Sequence, residues 1–335
     1  MDTARFVDDL STISEHFSRL ATTLQHPDPG AGLVDDHRHQ RILILGMGSS
    51  RYAAERVART ARARGLAVSA EWASAVELPP PADDLLVIAV SATGRSQEVL
   101  AAVEPYAGAG RLLAVTNDAA SPLAEIADAT SPLHAGVEVS GVACRTYRHT
   151  IVVLERLLGL VDPGRAADEL DRAAAATVQL HATVAEWRPA LAAVLDSPDG
   201  THVLAPVERF GSAQQSALMI RELPRRLAVA CETGDWAHVD VYTSRTHDYR
   251  AALLTGSRWD AQAVEWLQSR GARYAAIGGP VAGAEVELRF AHDDDDRVRV
   301  LVEMLPLELV AAEWLARDPE FRHSRRPLDR VDDRA

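Results

Sequence analysis

Apolar positions along this chain repeat in two rhythms. Phe6, Leu10, Ile13, Phe17, Leu20 and Leu24 recur at alternating steps of four and three, which is the spacing of an amphipathic helix with a narrow apolar seam. Such a seam can pack on its own domain or on a second subunit. Pro27 to Gly32 breaks it, and Asp35-Asp-His-Arg-His39 leads toward the first strand. His37 and His39 have no third ligand beside them, so this stretch is read as a solvated lead-in.

From Arg41 to about Leu160 short apolar runs alternate with helical patterns. The predicted strands are Ile42–Leu45, Ala67–Glu71, Leu85–Val90, Leu112–Thr116 and a shorter one near Ala129–Leu133; the predicted helices are Arg51–Arg64, Ser96–Ala107 and Arg145–Leu158. Strand-helix alternation means parallel strands with crossover helices covering both faces. Pro163-Gly164 closes this unit, and alanine-rich helical sequence runs from Ala166 to about Leu195 before Ser197-Pro-Asp-Gly200. The second half repeats the plan. Its predicted strands are His202–Ala205, Val239–Tyr242, Ala251–Leu254, Arg273–Ile277 and Glu285–Arg289, and its predicted helices Ser212–Leu223, Asp260–Arg270 and Arg297–Arg317. Asp293–Asp296 reads as a solvated turn that places negative charge at a helix start.

The chain therefore reads as a diverged α/β duplication. Residues 1–39 form a helix and lead-in, 40–162 a first domain, 163–199 a helical linker, 200–318 a second domain and 319–335 a tail. At 335 residues it is long enough for two such cores.

Composition narrows the partners. A formal charge of -13 argues against nucleic acid or an anionic membrane. No apolar run approaches the roughly 20 residues needed to span a bilayer, and the N-terminus lacks signal-peptide order. Cys144 and Cys231 are the only cysteines, which fits a reducing cytoplasm and no cysteine metal cluster. All 35 basic residues are arginine. Schiff-base catalysis through a lysine amine is thereby excluded.

The candidate chemistry begins where two strands stop. Ile42–Leu45 runs into Gly46-Met-Gly-Ser-Ser50, and Leu85–Val90 into Ser91-Ala-Thr-Gly-Arg-Ser96, with a helical pattern after each. A strand-to-helix loop aims free backbone N–H groups and the positive helix end at one point. Hydroxyls there complete a cage for an anion, most often a phosphate. Any one of these serines could equally be a helix cap. Two such loops on neighbouring strands favour a site.

With Gly141-Val-Ala143, these loops make the first half resemble the sugar isomerase (SIS) domain family, and the likeness extends over roughly Gln40 to Arg317. The likeness is to tandem-SIS proteins, such as the isomerase half of glucosamine-6-phosphate synthase and related phosphosugar isomerases and deglycases. The resemblance implies two SIS-like domains, each a mostly parallel sheet flanked by helices on both faces. It implies phosphate binding by Ser49, Ser50, Ser91, Thr93 and Ser96, with Gly48 and Gly94 allowing close backbone approach, and a pocket that includes Val142 and Ala143. Glu138, Arg145 and Trp236 are further pocket candidates.

In the second half the resemblance falls on Ser216-Ala-Leu-Met-Ile-Arg-Glu222 and Thr233-Gly-Asp-Trp-Ala-His238. It implies that Glu222 is the base moving a proton between C1 and C2 of an open-chain sugar phosphate, and that His238 assists ring opening, in some relatives from a partner subunit. Leu218 and Glu222 share a helix face, and burial there raises a carboxyl pKa toward the range of a general base. An ion pair of Glu222 with Arg225 or Arg226 is the competing reading, weakened by Pro224. Three departures stand out. Met219 replaces a lysine three residues before the base, the tail Ser324–Val331 carries arginines where the synthase has a catalytic lysine, and Ala205-Pro-Val207 replaces a glycine-rich turn. The expectation is one phosphate site per chain, in a homodimeric, metal-independent sugar-phosphate isomerase without an organic cofactor. A binding-only regulatory SIS protein and a sugar-phosphate deglycase or deaminase are the alternatives.

Overall fold

The computed structural model describes residues 3–37 and 40–317, with the backbone alone at His37. His39 and the tail from 319 lie outside the described residues. The chain divides into two compact units, residues 15–171 and residues 3–14 with 172–317.

The predicted N-terminal helix is two helices, α1 (Thr3–Ser11) and α2 (Ile13–Thr23). Ser11 and Thr12 break it by donating their hydroxyls to the carbonyls of Asp8 and Asp9, at 2.7 and 2.9 Å, a local bond that competes with the helix ladder. All six seam residues are buried within the chain. The stretch expected to be a solvated lead-in is helical instead, as α3 (Ala31–His37), with Asp35 and Asp36 exposed on it.

The first sheet is built from β1 (Arg41–Gly46), α4 (Gly48–Ala63), β2 (Ala67–Trp72), β3 (Leu85–Val90), α5 (Gln97–Val103), β4 (Leu112–Thr116), α6 (Pro122–Ile126), β5 (Ala129–Pro132) and α7 (Arg145–Leu157). Its five strands are all parallel, in the order β2-β1-β3-β4-β5. β3 and β4 are buried along their whole length and β1 everywhere except Arg41. Strands covered on both faces read as continuous apolar runs, which is why they were legible.

The alanine-rich stretch is α8 (Pro163–Ala182) and α9 (Val184–Leu195), parted at Thr183, whose hydroxyl donates to the Gln179 carbonyl at 3.0 Å. The second sheet follows with β6 (Thr201–Ala205), α10 (Phe210–Glu222), β7 (Ala228–Glu232), α11 (Thr233–Trp236), β8 (Arg250–Leu254), α12 (Asp260–Ser269), β9 (Arg273–Ile277), β10 (Val286–Leu288), α13 (Asp296–Val302) and α14 (Leu305–Arg317). Its parallel strands run β7-β6-β8-β9-β10. Both sheets thus share one strand order, and the fold is a duplication.

Three expectations for this half fail locally. Val239–Tyr242 is no strand; Asp240–Arg245 is a 3-10 helix, with Thr243 and Ser244 hydroxyls donating to the carbonyls of Asp240 and Val241 at 2.7 and 2.5 Å. The edge strand that pairs with β6 on the side away from β8 is β7 instead. The last predicted helix is α13 and α14, because Pro306 fits only the first turn of a helix. Finally, the acidic turn is not wholly solvated. Asp293 is buried, ion-paired with Arg289 at 2.5 Å, while Asp295 caps α13 through the Arg297 N–H at 2.8 Å.

Candidate functional site

In an open parallel sheet, ligands bind beyond the carboxyl ends of the strands, where the strand order reverses. In the first sheet that point lies between β1 and β3, which pair in register from Arg41–Leu85 to Leu45–Ala89. The Gly48–Ser50 and Ser91–Ser96 loops leave these two strands side by side. Met47 is the N-cap of α4 in extended conformation and offers no capping hydrogen bond. Gly48 has φ +48°, the left-handed region that glycine enters without penalty. The Ser49 and Ser50 side chains are half-buried and Ser91 is buried. Their three hydroxyls have no hydrogen-bond partner among the described residues, so none serves as the cap that a lone serine usually is.

The rest of the second loop is held more tightly. The Gly94 N–H donates to the Ser91 carbonyl at 3.1 Å, and the Gly94 carbonyl accepts from Leu123 N–H at 3.1 Å. Exposed Thr93 accepts the Arg95 N–H at 3.2 Å. Ser96 donates its hydroxyl to Glu98 at 2.9 Å rather than capping α5. The Glu98 carboxyl lies below its ordinary pKa because of its own backbone N–H and then Ser96.

Beside the second loop opens a cavity of about 610 Å³, lined among others by Thr93, Arg95, Asn117, Asp118, Glu138, Ala143 and Thr146. Of the predicted residues only Thr93, Ala143 and the candidate Glu138 line it. Val142 is fully buried, a packing residue. Arg95, Asn117, Asp118 and Thr146 were not anticipated. The available signal was position: Asn117 and Asp118 follow β4 at its carboxyl end, as the serine loops follow β1 and β3.

The cavity wall is braced from behind. One Glu138 carboxylate oxygen accepts the backbone N–H groups of Cys144, Arg145 and Thr146 at 2.7, 2.6 and 3.3 Å, and the other accepts the Thr146 hydroxyl at 2.6 Å. Glu138 thereby caps α7. Buried Arg145 does not line the cavity; it donates to the Ala135 and Val137 carbonyls at 3.0 and 2.5 Å. Asn117 ties the same loop to α7 through Ala135 N–H at 3.0 Å and the Thr146 hydroxyl at 3.2 Å. At the rim Arg95 pairs with Asp118 at 3.1 Å.

In the other unit, Glu222 is the half-buried last residue of α10. Arg226 is engaged with Asp196 and lies over the Trp314 ring at 4.6 Å. His238 is exposed, and its imidazole has no hydrogen-bond partner among the described residues. Trp236, a pocket candidate, is a core residue whose indole N–H donates to the Tyr249 hydroxyl at 2.7 Å.

The reversal point of the second sheet, between β6 and β8, is built differently. Arg209, following β6, is buried and pairs with Glu303 and Asp296 while donating to the Thr255 carbonyl beyond β8. The nearby cavity, about 620 Å³, is lined by Glu208, Glu232, Ser257, Arg258, Trp259 and Asp296 among others. Glu208, Glu232 and Asp296 make this wall rich in carboxylates, Arg258 and Ser257 also line it, and the nearby Arg209 is already paired. Among the described residues no group of three or more histidine, cysteine or carboxylate side chains could hold a metal ion, and no helix is long and apolar enough to cross a membrane.

Residues 37–158 match the SIS domain. Comparison with curated protein sequences finds no significant match. Among solved structures, the chain is similar to the C-terminal domain of glucosamine-fructose-6-phosphate aminotransferase from Francisella tularensis, with TM-score 0.78 and 16% identity over 93% of this chain and 96% of that one. It is also similar to tagatose-6-phosphate ketose/aldose isomerase from Escherichia coli, with TM-score 0.77 and 16% identity over 95% and 94% of the two chains. Glucosamine-6-phosphate deaminase from Thermotoga maritima aligns with TM-score 0.68 and 17% identity over 94% and 93%. At such identities these likenesses establish the fold, a phosphosugar-isomerase-like α/β duplication.

Proposed function

We propose, from the SIS domain that residues 37–158 carry, that this protein binds a sugar phosphate and interconverts its aldose and ketose forms. One observation carries the reading: at the β1/β3 reversal point, the uncapped start of α4 meets three hydroxyls, of Ser49, Ser50 and Ser91, that have no partner within the described chain. Helix-end amides and unengaged hydroxyls form a ready anion cradle. Thr93, Ser96 and the glycines Gly48 and Gly94 complete it, and the adjoining cavity gives the sugar room.

Chemistry on the open-chain sugar falls to Glu222, which takes the C2 proton of the aldose and returns it to C1 through a cis-enediol. His238, exposed on its own chain, exchanges a proton with the ring oxygen as the sugar opens, supplied across a homodimer. A stabilisation screen against sugar phosphates and amino-sugar phosphates identifies the ligand by mass action. NMR in deuterated water then follows exchange at C2. Glu222→Gln abolishes exchange while ligand binding persists; unchanged turnover removes Glu222 from the mechanism.

A binding-only role is favoured by one feature, the lysine-free sequence with buried Met219 three residues before Glu222. Binding without C2 exchange in the wild-type chain selects it. Release of ammonia from an amino-sugar phosphate selects deglycase or deaminase chemistry, which the same carboxylate can serve.

A further inference from the structure

Arg51, in the first turn of α4, is an arginine with only 6% of its surface exposed. It forms no hydrogen bond or ion pair with any described side chain, and its Nε is buried without a partner. Glu55, one turn further on, is the carboxylate it would ordinarily use. That group is engaged instead by Arg62 at 3.2 Å and Arg59 at 3.6 Å.

What holds Arg51 is a ring. Its guanidinium carbon lies 3.9 Å from the centroid of Trp72 and 5.7 Å from that of Tyr52. Trp72 ends β2 and pairs in register with Gly46, the last residue of β1, so the stack sits at the carboxyl end of the sheet, on the β2 side of β1, beside the start of α4. Helical side chains lean toward the N-terminus of their helix, which directs Arg51 back toward the uncapped amides of Gly48 and Ser49. Stacking satisfies the face of a guanidinium and leaves its in-plane N–H groups unused. A buried charge left this way lacks a counter-ion, and an oxyanion accepting two parallel N–H bonds supplies one.

We propose that Arg51, seated on Trp72, is the cation that pairs with the ligand's phosphate in a cradle otherwise made of hydroxyls and amides. The inference rests on the sugar-phosphate reading above. It explains how a site in an acidic, lysine-free chain obtains its countercharge. Trp72 is a positioning residue: half-exposed on an edge strand, it fixes the guanidinium plane.

Calorimetric titration of the full chain with inorganic phosphate, glucosamine 6-phosphate and unphosphorylated glucosamine, alongside thermal unfolding, tests it. Arg51→Met lowers affinity for both phosphorylated probes at least tenfold, and Trp72→Ala lowers it severalfold. Because Arg51→Met removes an uncompensated buried charge, the ligand-free variant unfolds at the wild-type temperature or above. Phosphate-induced stabilisation, present in the wild type, is lost in the variant. A variant that is destabilised without ligand yet binds phosphate as tightly as the wild type shows a structural arginine and overturns the inference alone. A wild-type chain that binds neither phosphorylated probe overturns the sugar-phosphate reading together with it.

Discussion

The Arg209 guanidinium donates through Nε to both carboxylate oxygens of Glu303, each at 3.2 Å, and both side chains are almost wholly buried. The pair fills the reversal point of the second sheet, and burial pushes the Glu303 carboxyl up, opposed by the charge of Arg209. Removing one member strands the other charge in the core. Arg209→Met therefore lowers stability by ~3–5 kcal/mol, whereas the double substitution Arg209→Met/Glu303→Leu recovers most of the loss. Urea unfolding of the three proteins decides it, and a cost below ~1 kcal/mol for the single change, within the range of an exposed pair, removes the buried-pair argument.

Gly94 and Ser121 impose a steric condition on the first site. A Cβ on Gly94 would lie 2.0 Å from the Ser121 hydroxyl, at a backbone φ of +64°. Gly94→Ala combines overpacking with a left-handed backbone, so it costs ~2–5 kcal/mol and displaces the Ser91–Ser96 loop. Gly94→Ala/Ser121→Gly relieves the clash with Ser121 and leaves the ~1–2 kcal/mol backbone part together with the smaller cost of losing the Ser121 cap on α6. Thermal unfolding of both variants, with and without phosphate, separates the two contributions.

Much of this architecture was legible because β1, β3 and β4 are covered on both faces and announce themselves as apolar runs. The edge strand β7 was not, since Ala228–Glu232 is short and only partly buried. Val239–Tyr242 misled for a related reason. Of its three bulky side chains only Val241 is buried, while Val239 and Tyr242 are exposed, and the hydroxyls of Thr243 and Ser244 fix a tight helical turn that hydrophobicity does not encode.

The site divides in the same way. Glycine and hydroxyl residues after a buried strand carry their meaning in local sequence, and Gly48–Ser50 and Ser91–Ser96 stand where such loops should. Asn117 and Arg51 acquire theirs from residues distant in the chain, Asn117 from Thr146 and Arg51 from Trp72, whereas Glu138, a pocket candidate in the sequence, caps the start of α7 just downstream. Sequence spacing offers no view of a partner on another strand. Trp236 shows the converse, for its place in a motif drew attention to a side chain whose work is core packing.

Glu138 offers a way to loosen the cavity without touching the phosphate loops. Its carboxylate satisfies three amides at the start of α7. Glu138→Gln weakens these bonds and costs ~1–2 kcal/mol. Because Ser49, Ser50 and Ser91 are untouched, affinity for glucosamine 6-phosphate falls more than affinity for inorganic phosphate. Equal losses for the two ligands in calorimetric titration would refute the separation of sugar wall from phosphate cradle.

Two buried histidines set the acid limit of the fold. His149 is fully buried and donates from Nδ1 to the Leu133 carbonyl at 2.8 Å. Burial lowers its pKa from 6.5 to about 3, the Leu133 carbonyl opposes this, and the charges of His16, His134 and Arg145 add to it. His202, stacked on Tyr249 with centroids 4.0 Å apart, is lowered to about 4, again chiefly by burial. Both stay neutral in the native state while the unfolded chain protonates them near pH 6.5. Their contribution is therefore complete above pH 6.5 and is lost as pH falls toward 4 and then 3, at up to ~1.4 kcal/mol per pH unit for each histidine. Between pH 7.5 and 5 the His149 share is ~2 kcal/mol. His149→Asn keeps an N–H donor near the Leu133 carbonyl and cannot titrate, so it flattens the decline by that amount. Identical pH slopes for the wild type and His149→Asn in urea unfolding would show that His149 does not report on acid stability.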